Sequence, residues 1–352
     1  MMKPEHLNRE PAVDFTAMYD LVWIRHVRPV VAVAQSLGWF EAWATAPNTI
    51  AEAAKKFEVS LRSAEAIMAV LAAAGYLSRD DEGRYAITPV TREYLLESSP
   101  FYWGLVLPPD NKTLADLRQA VSTGEPVVPV AITLGTSEDA ILTDFINDMH
   151  RLTLAAGIHL AKKPVFSEIR SLLDIAGGSG SLACAIAAHN PEFTATILDL
   201  PRVADIAQAN IQSYELSERI STTRANMLED DWPSGHDAIL MGNIFHDWDV
   251  DTCRTLAQRA FDALPSGGKI LLHEMVLNET RDGPLSVACF SISMLLHERG
   301  KQYTPSEFND MLTGAGFEDV VIDPAYGYYS LVSATKPQPS SRTRIRGSGS
   351  LD

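Results

Sequence analysis

The residues of this chain best suited to chemistry fall at three points of its second half. The first is the run Asp174-Ile-Ala-Gly177-Gly178-Ser-Gly180, directly after an apolar segment. Glycines let a backbone turn tightly and approach a ligand without a Cβ clash. The free amides at the start of a following helix can face a carboxylate or phosphate. The second point is Asp199, roughly twenty residues beyond the loop, where a carboxylate can accept hydrogen bonds from ribose hydroxyls. The third is His246-Asp247-Trp248-Asp249, with Glu274 closing the next apolar segment. An imidazole at the carboxyl end of a strand is poised to be a general base, its reference pKa being about 6.5. A carboxylate on the neighbouring strand, Glu274, can orient that ring. The loop and Asp199 together indicate a nucleoside-containing cofactor. GSGSLA (178–183) also fits the dinucleotide pattern G-x-G-x-x-A. Asp174 argues against a dinucleotide, because a second carboxylate repels a pyrophosphate but can pair with an amino group.

These residues need a scaffold that brings strand ends together. From residue 170 the pattern alternates apolar strands (SLLDIA, TATILDL, HDAILMGNIF, GKILLHEMVL) with helical segments. That alternation predicts a doubly wound, mostly parallel α/β sheet with helices on both faces. EDVVIDP and YYSLVSATK read as a closing antiparallel pair. In such sheets ligands bind outside the carboxyl ends of the strands, where all three points lie. Upstream, residues 15–46 read as helix with a boundary or kink at Pro29. Residues 49–88 give helix, turn, helix and two short β segments, the order of a winged helix. Its second helix carries only Arg62 and Glu65 among small and apolar residues. Reading DNA needs basic and amide side chains toward bases and phosphates, so a structural or dimerising role is expected. The chain divides as 1–100, a connector 101–137, a catalytic region 138–336 and a Pro/Ser/Arg/Gly-rich tail 337–352 expected to be disordered. Residues 138–166 read as helix, with Phe145 and Met149 on one face.

The formal charge of −16, from 29 basic and 45 acidic residues among 352, opposes binding to phosphate backbones. Cys184, Cys253 and Cys289 form no CxxC pair and no zinc spacing. With a polar, charged N-terminus and no membrane-length apolar run, a cytoplasmic protein without a metal is expected.

LLDIAGGSG (172–180), ILDLP (197–201), NIFHDWD (243–249) and GGKILLHEMVL (267–277) resemble the successive motifs of the class I S-adenosylmethionine-dependent small-molecule O-methyltransferases. That family holds the caffeate and hydroxyindole enzymes and many bacterial natural-product methyltransferases. The resemblance spans nearly the whole chain. It implies a Rossmann-like methyltransferase sheet, an N-terminal α-helical winged-helix dimerisation domain and a homodimer. It also implies roles residue by residue. Asp174, Gly177, Gly178 and Gly180 line the methionine half of S-adenosylmethionine. Asp199 holds the ribose with Leu200 near the adenine, and Asn226 and Met227 flank the adenine. Phe145, Met149 and Thr153 belong to a helix touching cofactor and acceptor. His246 is the base and Glu274 one of its two acidic partners. The acceptor pocket draws on Phe101, Trp103, Met149, Phe245, Trp248, Phe290, Met294 and His297. The expected product is S-adenosylhomocysteine together with a methylated phenol or enol of an aromatic or polyketide-like molecule.

Four positions depart from the family pattern. Ala176 stands where glycine is usual and Asn226 where aspartate is usual. Gly242 replaces a frequent basic residue. Gln302 replaces the second glutamate that helps hold the base. Rival readings are hydroxylation, decarboxylation or rearrangement on the same fold, or N- or C-methyl transfer. Two further rivals are a nicotinamide oxidoreductase and a ligand-sensing winged-helix regulator.

Overall fold

The computed structural model describes residues 3–103, 111–127 and 139–338. Parts of the 101–137 connector and most of the 337–352 tail lie outside the described residues. The N-terminal region contains helices α1 (Thr16–Trp23), α2 (Val27–Ser36), α3 (Trp39–Thr45), α4 (Ile50–Lys56) and α5 (Leu61–Ala73). The hairpin β1 (Leu77–Arg79) and β2 (Tyr85–Ile87) follows, then α6 (Pro89–Tyr94) and α7 (Asn111–Thr123). The continuous helix expected over 15–46 is broken. A 3-10 turn at Ile24–His26 and a left-handed Gly38 (φ 70°) interrupt it. Pro29 marks a boundary rather than a kink: it sits in the first turn of α2, which begins at Val27, where its missing N–H has no intrahelical partner to lose. Helix α4 starts at a capping box between Thr49 and Glu52.

The second half begins with α8 (Asp139–Leu160) and the short α9 (Val165–Glu168). Strand β3 (Ser171–Ile175) leads to α10 (Ser181–His189), and β4 (Thr194–Asp199) to α11 (Pro201–Ser213). Next come β5 (Ile220–Arg224), β6 (Ala238–Gly242), α12 (Val250–Ala263) and β7 (Lys269–Met275). Helices α13 (Leu285–His297) and α14 (Pro305–Gly314) precede β8 (Glu318–Pro324) and β9 (Tyr329–Thr335). The seven strands run β5-β4-β3-β6-β7-β9-β8. All neighbours are parallel except β9, which is antiparallel to β7 and β8. Central β3 and β7 are almost wholly buried, which is why they read as unbroken apolar runs. The chain leaves β3 toward β4 on one side and returns to β6 on the other. Their carboxyl ends therefore open a crevice at the topological switch point.

Two sequence expectations need correction here. Edge strand β5 (ISTTR) had no place in the sequence reading, because its polar residues hide a strand exposed on one side. The predicted strand HDAILMGNIF stops at Gly242. Asn243 takes a positive φ of 58°, and a 3-10 turn at Phe245–Asp247 follows.

The two halves share a core. Buried residues of α2, α3, α5 and α7 pack with Met275, Leu277 and the α13 residues Val287, Ile292 and Leu295. The charges of α5 are used inside the chain. Arg62 donates to the carbonyls of Glu298 (2.9 Å), Gly300 (2.8 Å) and Gly124 (3.1 Å). Glu65 pairs with Arg281 and Lys301, which both also meet Glu307. A DNA-reading helix would present such groups outward; here they lock α5 to the segment beside the strand ends.

Candidate active site

The glycine-rich loop shows why its residues are what they are. The Asp174 carboxyl lies directly beneath Gly177, where an added Cβ would sit 2.6 Å from Asp174 Oδ2 and 2.9 Å from Ile197. Gly178 and Gly180 occupy the left-handed region at φ 57° and 78°. Ala176 does too, at φ 50°, which gives the glycine usual at that position its physical reason. Thr153 on α8 meets Ser181 in the first turn of α10 (2.6 Å). His150, one turn earlier on α8, bridges Ser179 Oγ (2.9 Å) and Tyr214 Oη (2.7 Å). Asn210 donates to the Ser179 carbonyl (3.1 Å). The loop is thus clamped between α8 and α11. Burial drives His150 down to about 4, so the clamp uses a neutral ring with one donor and one acceptor nitrogen.

Both oxygens of Asp174 are buried and, among the described residues, without a hydrogen-bond partner. Burial, reinforced by the charge of Asp199, pushes Asp174 up to about 8. Asp199 accepts the amides of Gly178 (2.8 Å) and Leu200 (2.7 Å), yet burial still raises it to about 6. Buried polar groups are normally satisfied, so an open carboxyl here can accept a hydrogen-bonding, positively charged group. That suits an aminocarboxypropyl chain with a ribose beyond it, and two neighbouring carboxyls would repel a pyrophosphate. Of the expected adenine neighbours, Leu200 is half-exposed, Met227 packs at the rim of the core, and Asn226 Oδ1 already accepts the Leu228 amide (3.0 Å).

Across the crevice lies a pinned histidine. His246 Nδ1 is 2.7 Å from Glu274 Oε2. The other oxygen, Oε1, accepts the amides of Ile244 and Phe245, each at 2.8 Å. One fully buried carboxylate therefore holds both the imidazole and the loop that carries it. On the far side of the ring, Nε2 is 3.4 Å from Asp247 Oδ1. Burial opposes a charged ring, but Glu274 and Asp247 outweigh it and raise His246 to about 9. Asp247 and Glu298 are each driven up by burial, to about 6 and about 7. Gly300 donates to the Asp247 carbonyl (3.0 Å), and a Cβ on Gly300 would strike the His246 carbonyl. Gln302 is fully buried, and among the described residues its side-chain amide has no hydrogen-bond partner. No bond from it to His246 replaces the missing second glutamate.

The expected acceptor residues divide. Phe290 lies 5.0 Å from the His246 ring and stacks at 4.2 Å on Trp23 of α1. Met294 and His297 follow on the same helix, and Met149 and Phe145 lie on α8. Phe245 is fully buried and faces Phe308 in the core (6.3 Å). Trp248 lends its carbonyl to Tyr303 Oη. Phe101 and Trp103 are more than half exposed, with Trp103 against Tyr94 (5.7 Å). The sequence reading gave no role to His150, Tyr214, Asn243, Asp247, Glu298 or Trp23. Only Asp247 carried a signal, as the neighbour of the histidine.

Fold and site define a class: a doubly wound transferase with a nucleoside-cofactor loop at one strand end and a carboxylate-held histidine at the next. The O-methyltransferase domain model matches residues 118–318, and the chain belongs to that family. It is an S-adenosylmethionine-dependent O-methyltransferase. The chain is 32% identical over 311 residues to the 3-hydroxy-5-methyl-1-naphthoate 3-O-methyltransferase of Streptomyces sahachiroi, spanning 87% of this chain and 90% of that one. It is 30% identical to the acetylserotonin O-methyltransferase of Bos taurus, over 88% and 94% of the two chains. A family 2 O-methyltransferase of Planctomyces limnophilus, solved with apigenin, shares the fold with a TM-score of 0.86 at 24% identity, covering 95% of this chain and all of that one.

Proposed function

We propose that the protein methylates a hydroxyl of a small aromatic or polyketide-like acceptor, with His246 as general base. The observation that carries this reading is the pairing of His246 with Glu274 across the crevice from the unpartnered carboxyl of Asp174. S-adenosylmethionine, when bound, supplies an electrophilic sulfonium methyl group. Asp174 and the loop amides take its amino-acid end, and Asp199 its ribose. Phe290, Met294, Met149 and Trp248 form the acceptor side. His246 takes the acceptor's hydroxyl proton on Nε2 and leaves an oxyanion. Glu274 fixes the tautomer by holding Nδ1–H and stabilises the imidazolium that forms. The pinned loop fixes where that oxyanion appears, and such positioning accounts for a large share of the acceleration in reactions of this kind. The named activities of the naphthoate and acetylserotonin enzymes support a flat, ring-bearing acceptor.

The α4–α5 pair with its β1–β2 hairpin supports a winged-helix reading of the N-terminal region. The exposed apolar residues Met18, Leu21, Val22 and Ile24 support a homodimer through it. Three buried, unpaired cysteines fit a reducing, cytoplasmic setting.

Calorimetric titration with S-adenosylmethionine and S-adenosylhomocysteine, then labelled methyl transfer to a panel of phenols and hydroxynaphthoates, tests this reading. Micromolar binding and label in a hydroxyl-bearing acceptor are expected. A folded protein that binds neither compound sinks the cofactor assignment. Binding with transfer only to nitrogen or carbon sinks the acceptor assignment.

A further inference from the structure

Asn243 joins two anomalies at one position. It is a non-glycine residue at φ 58°, a left-handed conformation that persists where the surroundings impose it. Its side-chain Oδ1 is also buried, without any hydrogen-bond partner among the described residues. Its polar neighbour is the Tyr329 hydroxyl, which lies 3.1 Å from the Tyr19 hydroxyl. The backbone is fixed. The Asn243 amide donates to the His273 carbonyl (3.0 Å), and the next two amides are held by Glu274. A side-chain amide on so fixed a backbone, beside the Tyr329 hydroxyl and with its acceptor oxygen empty, is a dipole open to a positively charged group.

The position in the chain says what that dipole meets. On one side, Gly242 presses on Leu182, in the first turn after the glycine-rich loop; an added Cβ would lie 2.4 Å from that side chain. On the other side, three residues on, stands His246. For methyl transfer to an oxygen deprotonated by His246, the sulfonium must lie between the loop and the base, and Asn243 stands in the chain between the strand end that presses on the loop's helix and the base. Asp174 already stands beneath the loop to take an ammonium group, so a second acceptor for it has no purpose. We infer that Asn243 Oδ1 faces the sulfonium methyl group and makes the site prefer the charged donor over the neutral thioether product. The residue thereby positions the donor and eases release of the product. This inference rests on the methyl-transfer reading above.

The test separates charge recognition from a structural role. S-adenosylmethionine and S-adenosylhomocysteine share the ammonium, the ribose and the adenine, and differ in the methyl group with its charge. Asn243→Gly removes the carbonyl and relieves the positive φ. Its Kd for S-adenosylmethionine should rise about fivefold to tenfold, with that for S-adenosylhomocysteine within twofold of wild type, a loss of selectivity of about 1–1.4 kcal/mol. Asn243→Asp, which keeps an acceptor oxygen, should retain the preference. Tyr329→Phe frees the amide and should lose part of it, which keeps the idea testable if the glycine variant does not fold. Equal weakening of both ligands, or no change in either, overturns the assignment. Wild-type protein that binds neither compound fails the cofactor reading instead.

Discussion

The two sides of the crevice handle buried charge in opposite ways. On the cofactor side, Asp174 keeps both oxygens unpartnered, and the glycine-rich loop owes its shape to His150, Tyr214 and Asn210 behind it. On the base side, Glu274 satisfies an imidazole and two backbone amides at once. The first arrangement is costly until a ligand completes it, because an unpaired buried carboxyl loses its hydration without return. The second is complete beforehand. A binding site can leave its polar groups open for the partner, whereas a proton-transfer site must hold its geometry before the partner arrives.

Removing the base should break the second arrangement and spare the first. His246→Ala should lower kcat/KM by roughly 10²–10⁴-fold, while the Kd for S-adenosylmethionine stays within a few-fold. Activity retained within a few-fold of wild type would remove His246 from its role. The same side predicts a pH profile. His246 lies near 9 in the free enzyme, and only the neutral ring can take a proton, so kcat/KM should rise with pH through an inflection near 9 and level off above it. Glu274→Gln removes the largest charge holding the proton on. Its inflection should move to lower pH while the plateau falls, because the ring loses its orienting carboxylate. For stability the sign is opposite. The folded value is above the ordinary 6.5, so this group's stabilisation is full below about pH 6.5 and is lost as pH rises toward 9.

Completing the first arrangement artificially should trade binding for stability. Asp174→Asn removes the carboxyl that would hold the cofactor's ammonium group. A hydrogen bond to a charged group is worth about 1.5–3 kcal/mol, so the Kd for S-adenosylmethionine should rise roughly 10–100-fold. The ligand-free variant should unfold at the same denaturant concentration as wild type or higher, since it no longer buries a group that resists ionisation. Wild type itself should lose stability between pH 4 and 8. Asp174 lies near 8 when folded and near 3.8 when unfolded, so only the unfolded chain releases the proton in that window. Bound S-adenosylmethionine should flatten the loss. A variant that binds as well as wild type would show that the open carboxyl is not part of the site.

Much of this contrast was legible in the sequence, and unevenly so. The strands carrying Asp174, Asp199 and Glu274 are buried on both faces, so their apolar runs announce them and the polar residue closing each one stands out. The histidine and its partner followed from the same logic. Strand β5 was silent because an edge strand need not be apolar. Asn243, His150 and Tyr214 were silent for a different reason. Their roles depend on contacts between segments, such as the 64 positions separating His150 from Tyr214, and no local pattern encodes such a pairing. The early end of β6 was hidden as well, since it follows from Glu274 capturing two amides thirty and twenty-nine residues away.

The smallest expected effect probes the scaffold of the open side without touching its charges. His150 is almost wholly buried, and its two nitrogens reach Ser179 in the loop and Tyr214 at the C-terminal end of α11. If this clamp only stabilised the fold, His150→Ala would lower the melting temperature and leave the kinetic constants of the surviving enzyme unchanged. If it holds the loop in its binding shape, KM for S-adenosylmethionine should rise about tenfold, the scale of one or two buried hydrogen bonds. KM for the acceptor and kcat at saturating cofactor should stay within about twofold, because His246 and Glu274 do not touch the clamp. His150→Asn provides the finer contrast, since its amide can keep the Nδ1 bond to Ser179 and must lose the one to Tyr214. Tyr214→Phe cuts the same bond from the other end. Near-normal KM in both variants, beside a raised KM in the alanine variant, would locate the effect in the Ser179 bond. Equal losses in all three would place it in the whole bridge from α8 to α11.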